Sequence, residues 1–244
     1  MTTRTLVIGD IHGGLKGLEQ VLAKTTPTQN DTFIFLGDLV DGWSDSAATV
    51  SYLIKFSQQY TCIFIKGNHD FWCEEWLKTG TANKTWLQHG GQSTFDSYEK
   101  VDETTKNEHL VFFDNMHNYY VDSKNRLFIH AGFTSMHGPE KEFHTSNYNW
   151  DRTLWEMALT MNYRVVDNMK IYPKRLLLFH EIFIGHTPTL VYDVTTPMQG
   201  CNVWNIDTGA AFTGRLSVMD ITTKEYWQSD KLIDLYPNEK GRNK

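Results

Sequence analysis

Aspartate, histidine and asparagine stand just beyond five short apolar runs of this 244-residue chain. Asp10 and His12 follow Leu6-Val-Ile8, Asp38 and Asp41 follow Phe33-Ile-Phe-Leu36, and Asn68 and His69 follow Ile63-Phe-Ile65. His130 follows Leu127-Phe-Ile129, and His186 follows Ile182-Phe-Ile184. These residue types bind borderline-hard divalent metals, and a set without thiolates points to Mn²⁺, Fe or Zn²⁺ at a reactive centre rather than to structural zinc. One histidine beyond one run is more often a hydrogen-bonded core residue, but the same placement on five runs favours a shared site. Asp10 and Asp38 bring two negative charges, so two divalent ions would leave roughly +2, suited to a phosphate dianion. Two metals about 3.5–4 Å apart clamp phosphoryl oxygens and generate hydroxide near neutral pH.

Such a site needs elements that bring distant segments to one place. Continuous apolar runs of three to five residues suit strands buried on both faces. Between the first three runs, Leu15, Leu18, Val21 and Leu22 share one helical face, as do Ala47, Val50 and Ile54. Strand, helix, strand, helix, strand at this spacing predicts βαβ units, whose strand ends open onto a common crevice. A further run, Val203-Trp-Asn-Ile206, precedes Asp207. Residues 71–120 and 143–175 read as helical, Trp-containing insertions on one α/β domain spanning 1–244, because neither has strands enough for a core of its own. Residues 238–244 are short, charged and expected to fray.

The formal charge of −6, from 23 Lys and Arg against 29 Asp and Glu, argues against non-specific nucleic-acid binding. Three cysteines without a CxxC spacing give neither a disulfide framework nor a thiolate zinc site. The N-terminus shows no apolar core followed by a small-residue cleavage site, and even the longest apolar runs, Leu176–Phe179 among them, are too short to span a bilayer. A cytoplasmic protein without membrane or nucleic-acid partners is the expectation.

Gly9-Asp-Ile-His-Gly13, Gly37-Asp-Leu-Val-Asp41, Gly67-Asn-His-Asp70, His130-Ala-Gly132 and Gly185-His186 resemble, in order, the motif set of the calcineurin-like metallophosphoesterases. The closer resemblance is to the phosphoprotein phosphatase branch in its bacterial and phage-like form, where Asp207-Thr-Gly209 also has a counterpart. The resemblance covers residues 5 to about 221. It implies a four-layer α/β/β/α sandwich with helical insertions, and hydrolysis of phosphomonoesters by metal-bound hydroxide with two divalent ions, Mn²⁺ first, Fe or Zn²⁺ as alternatives. Asp10 and His12 then match ligands of the first metal, and Asp38 matches the carboxylate bridging both. Asn68, His130 and His186 match ligands of the second. His69 resembles the histidine that protonates the leaving oxygen, and Asp41 the carboxylate that holds it; an alkoxide leaves poorly without such a donor.

The family pattern has Arg after the last Asp of its second motif, where it forks onto the substrate phosphate. Here the chain runs Asp41-Gly42-Trp43. Arg152, in Trp150-Asp-Arg-Thr-Leu-Trp155, resembles a second phosphate-facing arginine. Trp43 is expected to pack rather than to face substrate, and Asp70 stands where protein-phosphatase relatives often carry Glu. His89, His109, His117 and His180 read as surface or packing residues, with His137 and His144 as candidates for the pocket mouth. The resemblance implies a phosphorylated protein or small phosphoester as substrate, with phosphoserine and phosphothreonine foremost. The rival readings are a nucleotide phosphoesterase of the symmetrical diadenosine tetraphosphatase type and a non-catalytic binding scaffold of the same fold.

Overall fold

The structure is a computed structural model that describes residues 3–161 and 172–243. Among the described residues, ten strands form two five-stranded sheets. In the first, β1 (Thr5–Ile8), β2 (Thr32–Phe35) and β3 (Thr61–Phe64) run parallel, joined by α1 (Leu15–Thr25) and α2 (Ser46–Ser57). The sheet is extended antiparallel from β1 by β9 (Ser217–Asp220) and then β10 (Tyr226–Gln228). The second sheet has β5 (Arg126–Ile129), β6 (Glu181–Ile184) and β8 (Val203–Asn205) in parallel, edged antiparallel by β4 (Tyr119–Val121) and β7 (Met198–Gly200). The expected βαβαβ order from β1 to β3 is present.

Alternation along the apolar runs sorts their side chains into three cores. Leu6, Ile8, Phe33 and Phe35 face a helical layer and meet Leu18, Val21, Leu22, Val50 and Leu53. Val7 and Ile34 point the other way and meet Phe128, Phe183 and Ile206 between the sheets, where the Phe128 and Phe183 rings stack 5.1 Å apart. Leu127, Ile129, Ile182 and Ile184 face outward again onto Leu154, Trp155 and Ala158. Helix, sheet, sheet, helix is therefore the layer order. Each such aliphatic or aromatic side chain contributes about 1.5–3 kcal/mol by burial, which makes a polar residue at Val7 or Phe128 costly to both sheets.

The 71–120 segment forms α3 (Asn68–Thr79) and the helices Lys84–Trp86, Gln92–Ser97 and Glu103–Asp114. Trp86, Tyr98 and Phe113 from it join the same core as Leu6 and Phe35. Its last residues enter β4, an edge strand too short to stand out as a pattern. In the 143–175 segment, helices Asn147–Trp150, Thr153–Met161 and Lys174–Leu177 pack on the second sheet's outer face, and residues 162–171 lie outside those described. The expectation of a frayed tail fails over 238–243. Glu239 accepts from both the backbone N–H and the hydroxyl of Ser44, and Arg242 N–H donates to Ala211 O at 2.8 Å. Charge in the tail, which reads as solvation, is used for docking.

Candidate active site

Both sheets present the carboxyl ends of their parallel strands to one place. β1, β2 and β3 deliver Asp10 and His12, Asp38 and Asp41, and Asn68 and His69; β5, β6 and β8 deliver His130, His186 and Asp207. All of these are buried, between 0% and 8% exposed. His12, Asp38, Asp41 and His186 have left-handed backbone, with φ of 54°, 50°, 75° and 68°. Residues other than glycine adopt that conformation at a cost of order 1 kcal/mol or more, and it aims their side chains where a regular strand end would not. The motif glycines answer a spatial need: a Cβ on Gly67 would fall on the Asp38 carboxylate, and one on Gly185 on that of Asp10.

Asp38 is the centre of the arrangement. Its carboxylate lies 3.6 Å from His12 Nε2, 3.4 Å from His130 Nε2 and 4.0 Å from His69 Nε2, and it accepts the His69 backbone N–H at 3.0 Å, in the first turn of α3. Asp10 Oδ2 is 3.7 Å from His12 Nε2 and accepts the His186 backbone N–H at 3.2 Å. Asn68 Oδ1 lies 3.2 Å from His130 Nε2 and 2.9 Å from His186 Nδ1. Two ring nitrogens are tied off from behind: His12 Nδ1 to Asp41 O at 2.9 Å and His130 Nδ1 to Leu36 O at 2.7 Å. Donating there turns each Nε2 inward, a common way of orienting imidazole ligands.

The electrostatics are those of crowded carboxylates cut off from water. Burial, with Asp38 beside it, raises Asp10 to about 7, and burial with Asp10 beside it raises Asp207 to about 8. Burial opposes charge on His130, but the Asp38 carboxylate outweighs it and lifts His130 to about 10. His12, His69 and His186 are lowered, chiefly by burial. Carboxylates, an amide oxygen and inward imidazole nitrogens form a donor set that divalent cations satisfy, and a cation entering it would displace the proton that Asp38 holds on His130. Among the described residues, two groups of three meet within 4.8 Å: His12, Asp38 and His69, and Asp38, His130 and His186. The first contains His69 where Asp10 is the sequence-based expectation, so the structure places His69 Nε2 toward the same carboxylate as the candidate ligands.

His69 and Asp41 are brought together: His69 Nδ1 lies 2.5 Å from Asp41 Oδ2. Asp41 is held in turn by two residues that sequence reasoning missed. Trp86 Nε1–H donates to Asp41 Oδ2 at 2.6 Å, and the Thr94 hydroxyl to Oδ1 at 2.6 Å. Asp70, of which little was expected, accepts backbone N–H groups from Gly67, Asp38 and Leu39 at 2.8–2.9 Å and so fastens the second motif to the third. Four residues of this set converge on a cavity of about 190 Å³ lined by Asp38, Asn68, His69, Trp72, His89, Trp150, Arg152, His186 and Arg242. Arg152 sits at its edge, with Nε 3.3 Å from His186 Nε2. His89 lines it, against the surface-or-packing expectation, whereas His137 and His144 do not. Trp43 packs as expected, fully buried and stacked on Tyr236 at 5.1 Å. A larger cavity, about 820 Å³ around Phe64 and Phe112, is lined by none of the candidate residues.

The chain is similar to known proteins along most of its length. The chain is 24% identical over 235 residues to the asymmetrical bis(5'-nucleosyl)-tetraphosphatase PrpE of Oceanobacillus iheyensis, covering 90% of this chain and 89% of that one. It is 24% identical over 224 residues to serine/threonine-protein phosphatase 1 of Salmonella typhimurium, covering 88% and 90%. A crystal structure of a metallophosphoesterase from Sphaerobacter thermophilus shares the fold with a TM-score of 0.54 at 17% identity, covering 93% of this chain and 87% of that one. The family model of the calcineurin-like phosphoesterases matches residues 3–210. The chain thus belongs to the calcineurin-like phosphoesterase family, and with it to the phosphoester hydrolases.

Proposed function

We propose that this chain is a dinuclear-metal phosphomonoesterase acting on phosphoserine and phosphothreonine in proteins. The observation that carries the catalytic part is the convergence of three other strand ends, through His12, His69 and His130, on the Asp38 carboxylate. Asp10, His12 and Asp38 would hold one cation, and Asp38, Asn68, His130 and His186 the other. When bound, two such ions neutralise the carboxylates, draw in the phosphoryl oxygens and make water acidic enough to attack. His69 donates its Nε2 proton to the leaving oxygen, and Asp41 holds the ring and its charge from Nδ1. Trp86 and Thr94 keep Asp41 from turning away. Arg152 faces the phosphoryl group from the cavity edge, and Trp72 and Trp150, in edge-to-face contact at 4.9 Å, wall the opening. Mn²⁺ suits a mixed carboxylate, amide and imidazole set, and the reading places the protein in the cytoplasm.

The cavity at the candidate donors is small, about 190 Å³, which supports the monoester reading, as does the Salmonella relative. A second reading has its own observation: a cavity of about 510 Å³ adjoins the first and shares His89 and Arg242 with it, which suits the remainder of a nucleoside polyphosphate. The PrpE relative lends support there, although as the asymmetrical enzyme rather than the symmetrical type. The test is a panel with Mn²⁺: phosphoserine, phosphothreonine and phosphotyrosine peptides, diadenosine tetraphosphate and cyclic nucleotides. Preference for the first two is expected. Preference for the dinucleotide transfers the conclusion to the second reading, and turnover of none overturns both.

A further inference from the structure

Six arginines lie among the described residues, and four of them are paired with aspartates. Arg4 meets Asp31 at 2.6 Å, Arg126 meets Asp122 at 2.6 Å, Arg175 meets Asp151 at 3.7 Å and Arg215 meets Asp230 at 4.0 Å. Among the described residues, Arg152 and Arg242 have no carboxylate within that range, and both line the 190 Å³ cavity beside His69 and Asn68. A guanidinium beside a buried site and without a protein counter-charge is available to an anion.

Arg242 comes to that position over a prepared path. The 236–243 segment is fastened to the loop after Asp41 by Tyr236 stacked on Trp43, by Tyr236 OH donating to Asp45 at 2.6 Å, and by Glu239 on Ser44. Gly241 lies so close to Trp43 that a Cβ would come within 2.7 Å of the indole. Beyond it, the Arg242 stem runs past two glycines. A Cβ on Gly42 would stand 3.4 Å from Arg242 Cγ, and one on Gly90 would stand 3.0 Å from it. The guanidinium lies 5.3 Å over the Phe212 ring.

These contacts bear on the departure at Gly42. A long side chain at position 42 and the stem of Arg242 would compete for one space, and φ of 122° at Gly42 disfavours any side chain there. We propose that Arg242 supplies the second guanidinium that grips the substrate phosphoryl group, opposite Arg152, in place of an arginine at position 42. The inference rests on the phosphoesterase reading above and names a residue that reading does not use. A planar fork binds two phosphoryl oxygens at once, which lysine does only as a point charge.

The test uses the whole protein loaded with Mn²⁺, with inorganic phosphate as the probe. Phosphate binding is measured by calorimetry, and its inhibition of para-nitrophenyl phosphate hydrolysis by kinetics, in the parent, Arg242→Ala and Arg242→Lys. Phosphate affinity is expected to fall about 10- to 100-fold in Arg242→Ala and by less in Arg242→Lys, with KM rising in step. Mn²⁺ affinity and melting temperature should stay at the parent values, which a merely structural residue would not allow. Phosphate affinity within twofold of the parent in Arg242→Ala overturns the inference. Should that variant melt early, Arg242→Lys decides: parental melting with parental phosphate affinity overturns it equally. If the parent binds phosphate through Arg242 yet hydrolyses no phosphoester, the inference stands and the phosphoesterase reading falls.

Discussion

Trp86 donates its indole N–H to the same Asp41 oxygen that meets His69 Nδ1, at 2.6 Å and 2.5 Å respectively. The contact ties the His69–Asp41 pair to a helix 45 residues away in sequence. Replacing His69 with Ala should slow alkyl phosphomonoesters by about 10²–10⁴-fold and aryl ones much less, because a phenolate needs less help to leave. Trp86→Phe should shift the alkyl-to-aryl ratio in the same direction by roughly 10-fold, the worth of one charge-assisted hydrogen bond. The check is kcat on paired alkyl and aryl substrates; equal slowing of both by His69→Ala removes His69 as the acid.

Chelation should abolish hydrolysis, and Mn²⁺ should restore it. The same titration should raise the melting temperature, since a ligand at 100 times its Kd stabilises by about 2.7 kcal/mol. Asp38→Asn should remove that rise, because the residue faces both candidate groups. Thermal melts with and without Mn²⁺ decide the point, and an undiminished rise in Asp38→Asn would exclude Asp38 as a shared donor.

Gly185→Ala places a methyl group on the Asp10 carboxylate. Overpacking of this kind costs about 1–3 kcal/mol, and Asp10 cannot yield without leaving the His186 N–H. Urea unfolding should show the loss, and calorimetry should show weaker Mn²⁺ binding. Unchanged metal affinity would mean that Asp10 is not a donor.

His109 supplies a pH dependence away from the site. Its ring is 1% exposed, with Nε2 2.8 Å from Ser51 Oγ and Nδ1 2.8 Å from Tyr98 OH. Burial lowers it from 6.5 to about 4. The unfolded chain therefore takes up the proton first, so the contribution is complete above pH 6.5 and is lost as pH falls toward 4. At 1.36 kcal/mol per pKa unit the loss is of order 2–3 kcal/mol. Urea midpoints from pH 7 to 4.5 should fall less steeply in His109→Gln than in the parent; parallel slopes would refute the assignment.

What the chain disclosed beforehand was local. Asp10, Asp38 and Asn68 each follow a glycine at a strand end, and that adjacency is written in consecutive residues. The alternation of Leu6, Val7 and Ile8 between two cores is hidden in an all-apolar run, because period 2 leaves no trace when both faces are buried. Trp86 and Thr94 reach Asp41 across 45 and 53 residues, and nothing in their neighbourhood marks them. Arg242 was obscured for another reason. Charge in a short tail looks like solvation until Trp43 and Tyr236 are seen to stack. The strands β4, β7 and β10 are three residues each, too short for periodicity to register.

The candidate donors are shared between two sheets, with Asp10, Asp38 and Asn68 on one side and His130 and His186 on the other. Cations held among them would act as rivets across the seam, fixing the sheets at one end while Val7, Phe128 and Phe183 fill the middle. Loss of metal would then be felt as slackening of the joint, beginning at the strand ends and reaching the loops last. Whatever loosens that seam, a cavity at Phe183 as much as a chelator, would disarm the chemistry without touching a reacting group.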